Sequence, residues 1–258
     1  MVGTMAEPVR VALFVTCLVD LFRPTVGFAA VKLLEDAGCT VVVPRAQTCC
    51  GQPAYNSGDK NDAKAIARQV IAAFAGYDYV VVPSGSCAGM VRVHYPELFA
   101  DEPATRAQAE ELAARTYELV SFLVDVRGSK KAAALCAQTV TYHDSCHLAH
   151  GLGIRETPRA LLRSIPGVRL VEMSDSDLCC GSAGSYNLTE PAMARELVRR
   201  KADNIEATGA EYVVLGNPGC ELQIAAELRR RGARIRVIHL ADFLALATES
   251  APEVAPTD

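Results

Sequence analysis

The sequence predicts an α/β fold built twice, each half a βαβαβ repeat with a parallel sheet and its cysteines at the carboxyl ends of strands. Three observations predict it. Short β-rich runs alternate with amphipathic helical stretches along the chain, the pattern of right-handed βαβ units. Cysteines follow those runs in one recurring order: Cys17, Cys49-Cys50 and Cys87, then Cys146, Cys179-Cys180 and Cys220. The three groups are offset by 129, 130 and 133 residues, so an internal duplication survives with only small insertions.

In the first half, residues 9–15 form a short apolar run that ends at Thr16-Cys17 and predicts a buried strand. Pro24 opens a helix with Val26, Ala29, Ala30, Leu33 and Leu34 on one face and Gly38 as its stop. Residues 40–43 predict the second strand, with Cys49-Cys50-Gly51 soon after it. A helix over 59–75 places Ile66, Val70, Ile71 and Phe74 at helical spacing, and a strand over 79–82 runs into Pro83-Ser84-Gly85-Ser86-Cys87. Residues 104–126 then read as one long helix that packs across the pair of repeats.

The second half repeats the order. A strand over 139–142 leads into His143-Asp144-Ser145-Cys146-His147, and Pro158 opens a helix closed by Pro166-Gly167. A strand over 168–171 precedes Cys179-Cys180-Gly181. A helix over 191–208 stops at Gly209, and a strand over 212–215 ends in Gly216-Asn217-Pro218-Gly219-Cys220. A helix over 221–231, a strand over 235–238 and a helix over 240–247 follow. The predicted organisation is a first repeat at 9–100, a connecting helical segment at 101–137, a second repeat at 138–248 and a disordered tail at 249–258. Residues 1–8 are expected to be loose as well.

Half the residues are apolar and 22% are charged, an ordinary soluble composition. A net charge of −4 argues against binding nucleic acid through bulk electrostatics. No apolar stretch reaches the length of a membrane span, and the apolar run at 11–22 contains Asp20 and sits too near the start for a signal peptide. The chain therefore reads as cytoplasmic, and its ten cysteines as metal ligands or buried thiols rather than bridges.

Each cysteine group follows a strand, so parallel sheets bring the groups of one half to one rim, where open α/β sheets hold ligands. Four thiols per half is the number that a tetrahedral zinc or a cubane iron–sulfur cluster requires. Gly51 and Gly181 supply the turn after each adjacent pair and let backbone N–H groups approach sulfur. Cys39 and Cys136 lack counterparts and read as core thiols. His143 and His147 flank Cys146 and suit a supporting hydrogen-bond role ahead of ligation. His150 and His239 read as structural, and His94 falls in a polar turn. No dinucleotide fingerprint, Walker loop or nucleophile elbow is present, and Arg229-Arg230-Arg231 reads as a solvated helix end.

At Cys49-Cys50-Gly51-Gln52-Pro53, Tyr142-His143-Asp144-Ser145-Cys146-His147-Leu148, Leu178-Cys179-Cys180-Gly181-Ser182-Ala183-Gly184 and Asn217-Pro218-Gly219-Cys220 the sequence resembles the cysteine-rich Cys-Cys-Gly domain proteins. That group includes one of the subunits of heterodisulfide reductase and parts of glycolate and glycerol-3-phosphate dehydrogenase assemblies. More closely the chain resembles the small two-repeat members of the lactate-utilisation LutA/YkgE group, over residues 10–246. The resemblance implies an iron–sulfur protein that works with partner subunits, a second iron–sulfur protein and a third subunit, to oxidise L-lactate to pyruvate. Its pattern closes each repeat with Cys-x-x-Cys, but Met90 and Gln223 stand at the last positions here. A cluster needing five cysteines and direct disulfide cleavage are thereby disfavoured.

The leading expectation is electron transfer through one or two [4Fe–4S] clusters, one on Cys17, Cys49, Cys50 and Cys87 and one on Cys146, Cys179, Cys180 and Cys220. No catalytic residue is assigned. Two rivals stay open: zinc in one or both sites of an assembly subunit, and a stand-alone thiol/disulfide reductase.

Overall fold

The computed structural model describes residues 9–129, 137–182 and 184–249. Cys136 and the loose ends expected at 1–8 and beyond 249 lie outside those residues. The chain clusters into two units, the first ending at Arg127 and the second beginning at Gly128.

In the first unit, β1 (Val9–Leu13), β2 (Cys39–Val42), β3 (Tyr79–Val82) and β4 (Thr116–Glu118) form a parallel sheet in the order β2-β1-β3-β4. The helix Pro24–Asp36 buries Val26, Ala29, Ala30, Leu33 and Leu34, the face that the apolar spacing predicts. The helix Lys60–Ala73 starts at Asp59, whose carboxylate accepts from the Asp62 N–H.

The long helix expected over 104–126 is broken. Its first half is the helix Pro103–Ala114, and Thr116–Glu118 then adds a fourth strand to the first sheet. Two side chains explain the break. The Arg115 guanidinium donates to the carbonyls of Phe74 (2.9 Å) and Tyr77 (2.5 Å), while its own carbonyl accepts from the Val80 N–H. Past the strand, the Glu118 carboxylate accepts from the N–H groups of Val120 and Ser121 and starts a new turn. Helical spacing of Leu112, Leu119 and Leu123 does not register such side-chain clamps.

The second unit mirrors the first. β5 (Gln138–His143), β6 (Val168–Leu170), β7 (Tyr212–Leu215) and β8 (Arg236–His239) form a parallel sheet in the order β6-β5-β7-β8. The helices Glu156–Ser164, Pro191–Ala207, Pro218–Arg231 and Leu240–Glu249 flank it. Arg231 is no solvated helix end. Its guanidinium meets Asp203, Glu206 and Glu227, each at 2.7 Å, and ties the helix Pro218–Arg231 to Pro191–Ala207.

In both sheets the central strand, β1 or β5, has its sequence neighbour on one side and the following strand on the other. That is the switch point of a doubly wound sheet, where the carboxyl ends of strands diverge and leave a crevice.

Candidate metal centre

The eight repeated cysteines all lie in the connections that follow a strand, the adjacent pairs Cys49-Cys50 and Cys179-Cys180 within the loops after β2 and β6. Cys17 opens the helix Cys17–Phe22 after β1, and Cys87 lies in the helix Gly85–Gly89 after β3. Cys220 falls in the first turn of Pro218–Arg231, not before the helix as its spacing suggests. Asn217 is the extended residue ahead of Pro218, and proline at the first helical position starts the helix there. Strand β1 also stops early, at Leu13, and Thr16 adopts the left-handed φ of 60° to swing Cys17 onto the rim.

Gly51 and Gly181 carry φ of 81° and 82°, conformations that L side chains rarely adopt. Their amides donate to the Sγ atoms of Cys49 (3.4 Å) and Cys179 (3.3 Å). At Gly181 a Cβ would lie 2.4 Å from the Ala194 carbonyl oxygen, so only glycine fits.

In the first unit Cys17 and Cys49 hold their sulfurs 3.7 Å apart, and Cys50 and Cys87 hold theirs 3.3 Å apart. These are contacts between free thiols, far from the disulfide bond length of about 2.05 Å. Cys50 and Cys87 are buried; Cys17 and Cys49 are half-buried and line a cleft of about 370 Å³ with Arg45 and Gln47. The Tyr95 hydroxyl donates to the Cys50 carbonyl at 2.9 Å. Met90, where the family pattern has a fifth cysteine, is fully buried at the start of the π-helical turn Met90–His94. His94 therefore lies in a helical stretch rather than a polar turn, stacked on Tyr55.

In the second unit the thiols of Cys146, Cys179, Cys180 and Cys220 meet in the same succession. Three further polar groups join them. His147 Nδ1 lies 3.7 Å from the Cys146 sulfur, and the Asn217 amide donates to the Cys220 sulfur at 3.3 Å. A ring nitrogen of His143, the last residue of β5, lies within 4.8 Å of the sulfurs of both Cys180 and Cys220.

Contact between thiols splits their acidities. Hydrogen bonds from Cys17 and Cys50 hold Cys49 down at about 2, and those from Cys146 and Cys180 hold Cys179 down at about 2. The donors are pushed up: Cys17 by Cys49 and burial, Cys50 by Cys49, Cys87 and burial. Cys180 rises through contact with Cys179 and Cys220, while Cys220 falls, held first by Cys180 and also by the His143 ring. Each set thus gives up some protons readily and keeps the rest unless a positive charge arrives. A metal supplies that charge, and coordinating thiols deprotonate. The hydroxyls of Thr16 and Ser145, one residue before Cys17 and Cys146, are also buried without a hydrogen bond. Orphaned polar atoms at matched positions beside both sets fit a bound group rich in acceptors.

What holds the second set was not legible in the sequence. The Arg159 guanidinium reaches Asp144 at 2.8 and 2.7 Å, and Asp144 also accepts from the Ser176 hydroxyl at 2.8 Å. Lys201, fully buried, donates to the carbonyls of Asp175 (2.5 Å) and Ser176 (3.0 Å); burial pulls its ammonium down to about 8. These charges pin the loop carrying Cys146 to the loop carrying Cys179 and Cys180. The first unit uses one neutral side chain instead. Gln47 accepts from the Val15 N–H at 2.7 Å and donates to the carbonyls of Leu13 and Pro44. A charged Arg159 beside the apolar Leu161 and Leu162 is the one signal in the sequence that points to a buried ion pair.

Sequence comparison matches the cysteine-rich domain twice, at residues 11–92 and 140–225. The chain belongs to the cysteine-rich domain family. Each match lies within one of the two units and contains all four of its converging cysteines. The cysteine-rich chain is 45% identical to lactate utilization protein A of Shouchella clausii and of Geobacillus kaustophilus. In both cases the match covers 91% of this chain and 98% of the relative. Among solved structures it resembles a hypothetical protein from Helicobacter pylori, with a TM-score of 0.69 at 11% identity. That match covers 94% of this cysteine-rich chain and 49% of the other, about half its length, and speaks to the fold alone. Cys39, buried at the start of β2, stands apart from both thiol sets, as the sequence implies. His150 contacts Arg155 and Asp177 on the surface, and His239 is buried with Nδ1 accepting from the Ala241 N–H.

Proposed function

We propose that this chain is an iron–sulfur electron-transfer subunit of a complex that oxidises L-lactate to pyruvate. One observation carries the reading: two separate sets of four free thiols, each gathered from three strand ends into sulfur-to-sulfur contact. Cys17, Cys49, Cys50 and Cys87 would hold one [4Fe–4S] cluster, and Cys146, Cys179, Cys180 and Cys220 a second. Such a cluster supplies one-electron redox capacity; the protein supplies burial, N–H···S contacts from Gly51 and Gly181, and loop clamps. Full-length similarity to proteins named lactate utilization protein A supports lactate as the source of electrons. Partner subunits, a second iron–sulfur protein and a third component, would bind and oxidise the substrate. The half-buried Cys17 and Cys49 leave the first set an open side for electron exchange. Among the described residues no helix is long and apolar enough to cross a membrane, and we place the work in the cytoplasm.

The test is anaerobic purification followed by iron, zinc and acid-labile sulfide analysis, with EPR on the dithionite-reduced sample. Two [4Fe–4S] clusters give about eight iron and eight sulfide per chain and a reduced-cluster signal. Zinc without sulfide replaces electron transfer with an assembly role.

A further inference from the structure

We infer that His143 is a ligand of the second centre, which makes that centre a mixed nitrogen–sulfur site while the first is sulfur only. The inference rests on the reading of the converging thiols as metal ligands, amends it by giving His143 the place of one of the second unit's four thiolates, and holds for zinc or for an iron–sulfur cluster.

The two units differ at one decisive position. His143 ends the central strand β5; its counterpart, just past the end of β1, is Phe14, which offers no donor atom. Among the described residues, His143, Cys180 and Cys220 are the one group of three or more His, Cys, Asp or Glu residues whose donor atoms all lie within 4.8 Å of one another. All three are buried. Donor atoms on one tetrahedral metal stand roughly 3.5–3.8 Å apart, given bonds of about 2.1 Å to nitrogen and 2.3 Å to sulfur. The trio needs only a small closure to grip a cation.

Both ring nitrogens of His143 are buried without a hydrogen bond of normal geometry. His239, at the end of β8, leaves only Nε2 without a partner, since its Nδ1 accepts from the Ala241 N–H. His143 faces sulfur instead. Its neutral imidazole also removes a negative charge from a site that four thiolates around a dication would leave doubly anionic in a buried position. His147, beside the half-buried Cys146, and Asn217, beside Cys220, add donors on the same side. The first unit has Leu18 at the place of His147, while Ser84 stands at the place of Asn217 and likewise hydrogen-bonds its thiol, Cys87. A neutral nitrogen in place of a thiolate raises the potential of an iron–sulfur centre, so the second centre is built to be the more readily reduced of the two.

X-ray absorption of the zinc-loaded full-length chain tests this, with Cys50→Ser and Cys87→Ser confining metal to the second unit. The expected spectrum shows sulfur in the first shell together with outer-shell imidazole scattering. His143→Cys should keep one zinc and lose the imidazole signal, while His147→Ala should keep both. A sulfur-only shell in the parent, or imidazole scattering that survives His143→Cys, overturns the inference. If His143→Cys does not fold, the parent and His147→Ala spectra still decide between a nitrogen donor and none. If the parent and the unmodified chain bind neither zinc nor iron, the ligand reading itself fails, and His143 fails with it.

Discussion

Arg159 and Asp144 form a bidentate ion pair, at 2.8 and 2.7 Å, beneath the loop that carries Cys146. The Asp144 side chain is 1% exposed and that of Arg159 8%. Burial alone would raise the Asp144 carboxyl, but hydrogen bonds from Arg159 and Ser176 outweigh it and hold the group down. The Asp144 N–H also donates to the Ser176 carbonyl, so the pair lies inside the connection between two cysteine loops.

Removing one partner of a buried pair typically costs about 3–5 kcal/mol, because the other charge is left without compensation. Arg159→Met should therefore lower stability by that order and strip metal from the second unit, leaving the first loaded. Arg159→Lys should rescue little, since an ammonium cannot reproduce the planar fork. Thermal unfolding and metal content per unit, read in a background lacking the other unit's thiols, check both. Loss of metal from both units alike would refute a local clamp.

The two turn glycines differ in what surrounds them. At Gly51 an added Cβ meets the Ile66 Cγ2 at 3.3 Å, the movable end of a side chain. At Gly181 it meets the Ala194 backbone, with the carbonyl oxygen at 2.4 Å. Gly51→Ala should cost roughly 1–2 kcal/mol for the left-handed conformation alone. Gly181→Ala should cost clearly more, because the helix Pro191–Ala207 must move, and should displace Cys179 and Cys180. Denaturant midpoints of the two variants rank them; equal effects would contradict the backbone clash.

The α/β class, the repeat and the rim of thiols were legible because strand ends and cysteines share one period in the sequence. Cys17 and Cys146 lie 129 residues apart in the chain and occupy the same place in their sheets. The fourth strand was not legible. Thr116-Tyr117-Glu118 is too short to outweigh helical spacing on both sides, and the clamp by Arg115 is a tertiary contact. Lys201 reads as an ordinary polar position on its helix and Arg159 stands out only by its apolar neighbours Leu161 and Leu162, because sequence spacing does not say that a charged group has carbonyls or a carboxylate waiting beneath it. His143 reads as a supporting residue in the sequence for a related reason: its burial against Cys220 depends on where β5 and β7 meet.

Burial raises the Glu118 carboxyl to about 7, even though its oxygens accept from two backbone N–H groups. The folded state therefore binds a proton that the unfolded state, at about 4.3, has already released. Stability of the first unit should fall as pH rises from about 4.3 to about 7 and level off above, by roughly 3–4 kcal/mol in all. Glu118→Gln should flatten that slope. Burial works the other way on His239, held down at about 3. Its contribution is intact above about 6.5 and fades as pH falls below that. Denaturation of the metal-loaded protein at a series of pH values separates the two slopes by variant; a Glu118→Gln profile parallel to the parent's would rule out the carboxyl.

Thiol reactivity should divide each set in two before metal arrives and become uniform afterwards. Cys49 and Cys179 combine a thiol held down at about 2 with partial exposure, the two conditions for a reactive thiolate. Cys50, Cys87, Cys180 and Cys220 are buried, and Cys50 and Cys180 are pushed well up besides. Brief alkylation of the reduced, metal-free chain, mapped by mass spectrometry, should mark Cys49 and Cys179 first and the buried four last. Cys17 and Cys146, half-buried but pushed up by their neighbours, should fall between. Loading with metal should protect the four thiols of the first set together, and with them those of the second set that remain ligands beside His143, because a ligand sulfur has its reactive lone pair engaged. Protection of Cys49 without Cys17 would show that the sulfurs in contact do not share one centre.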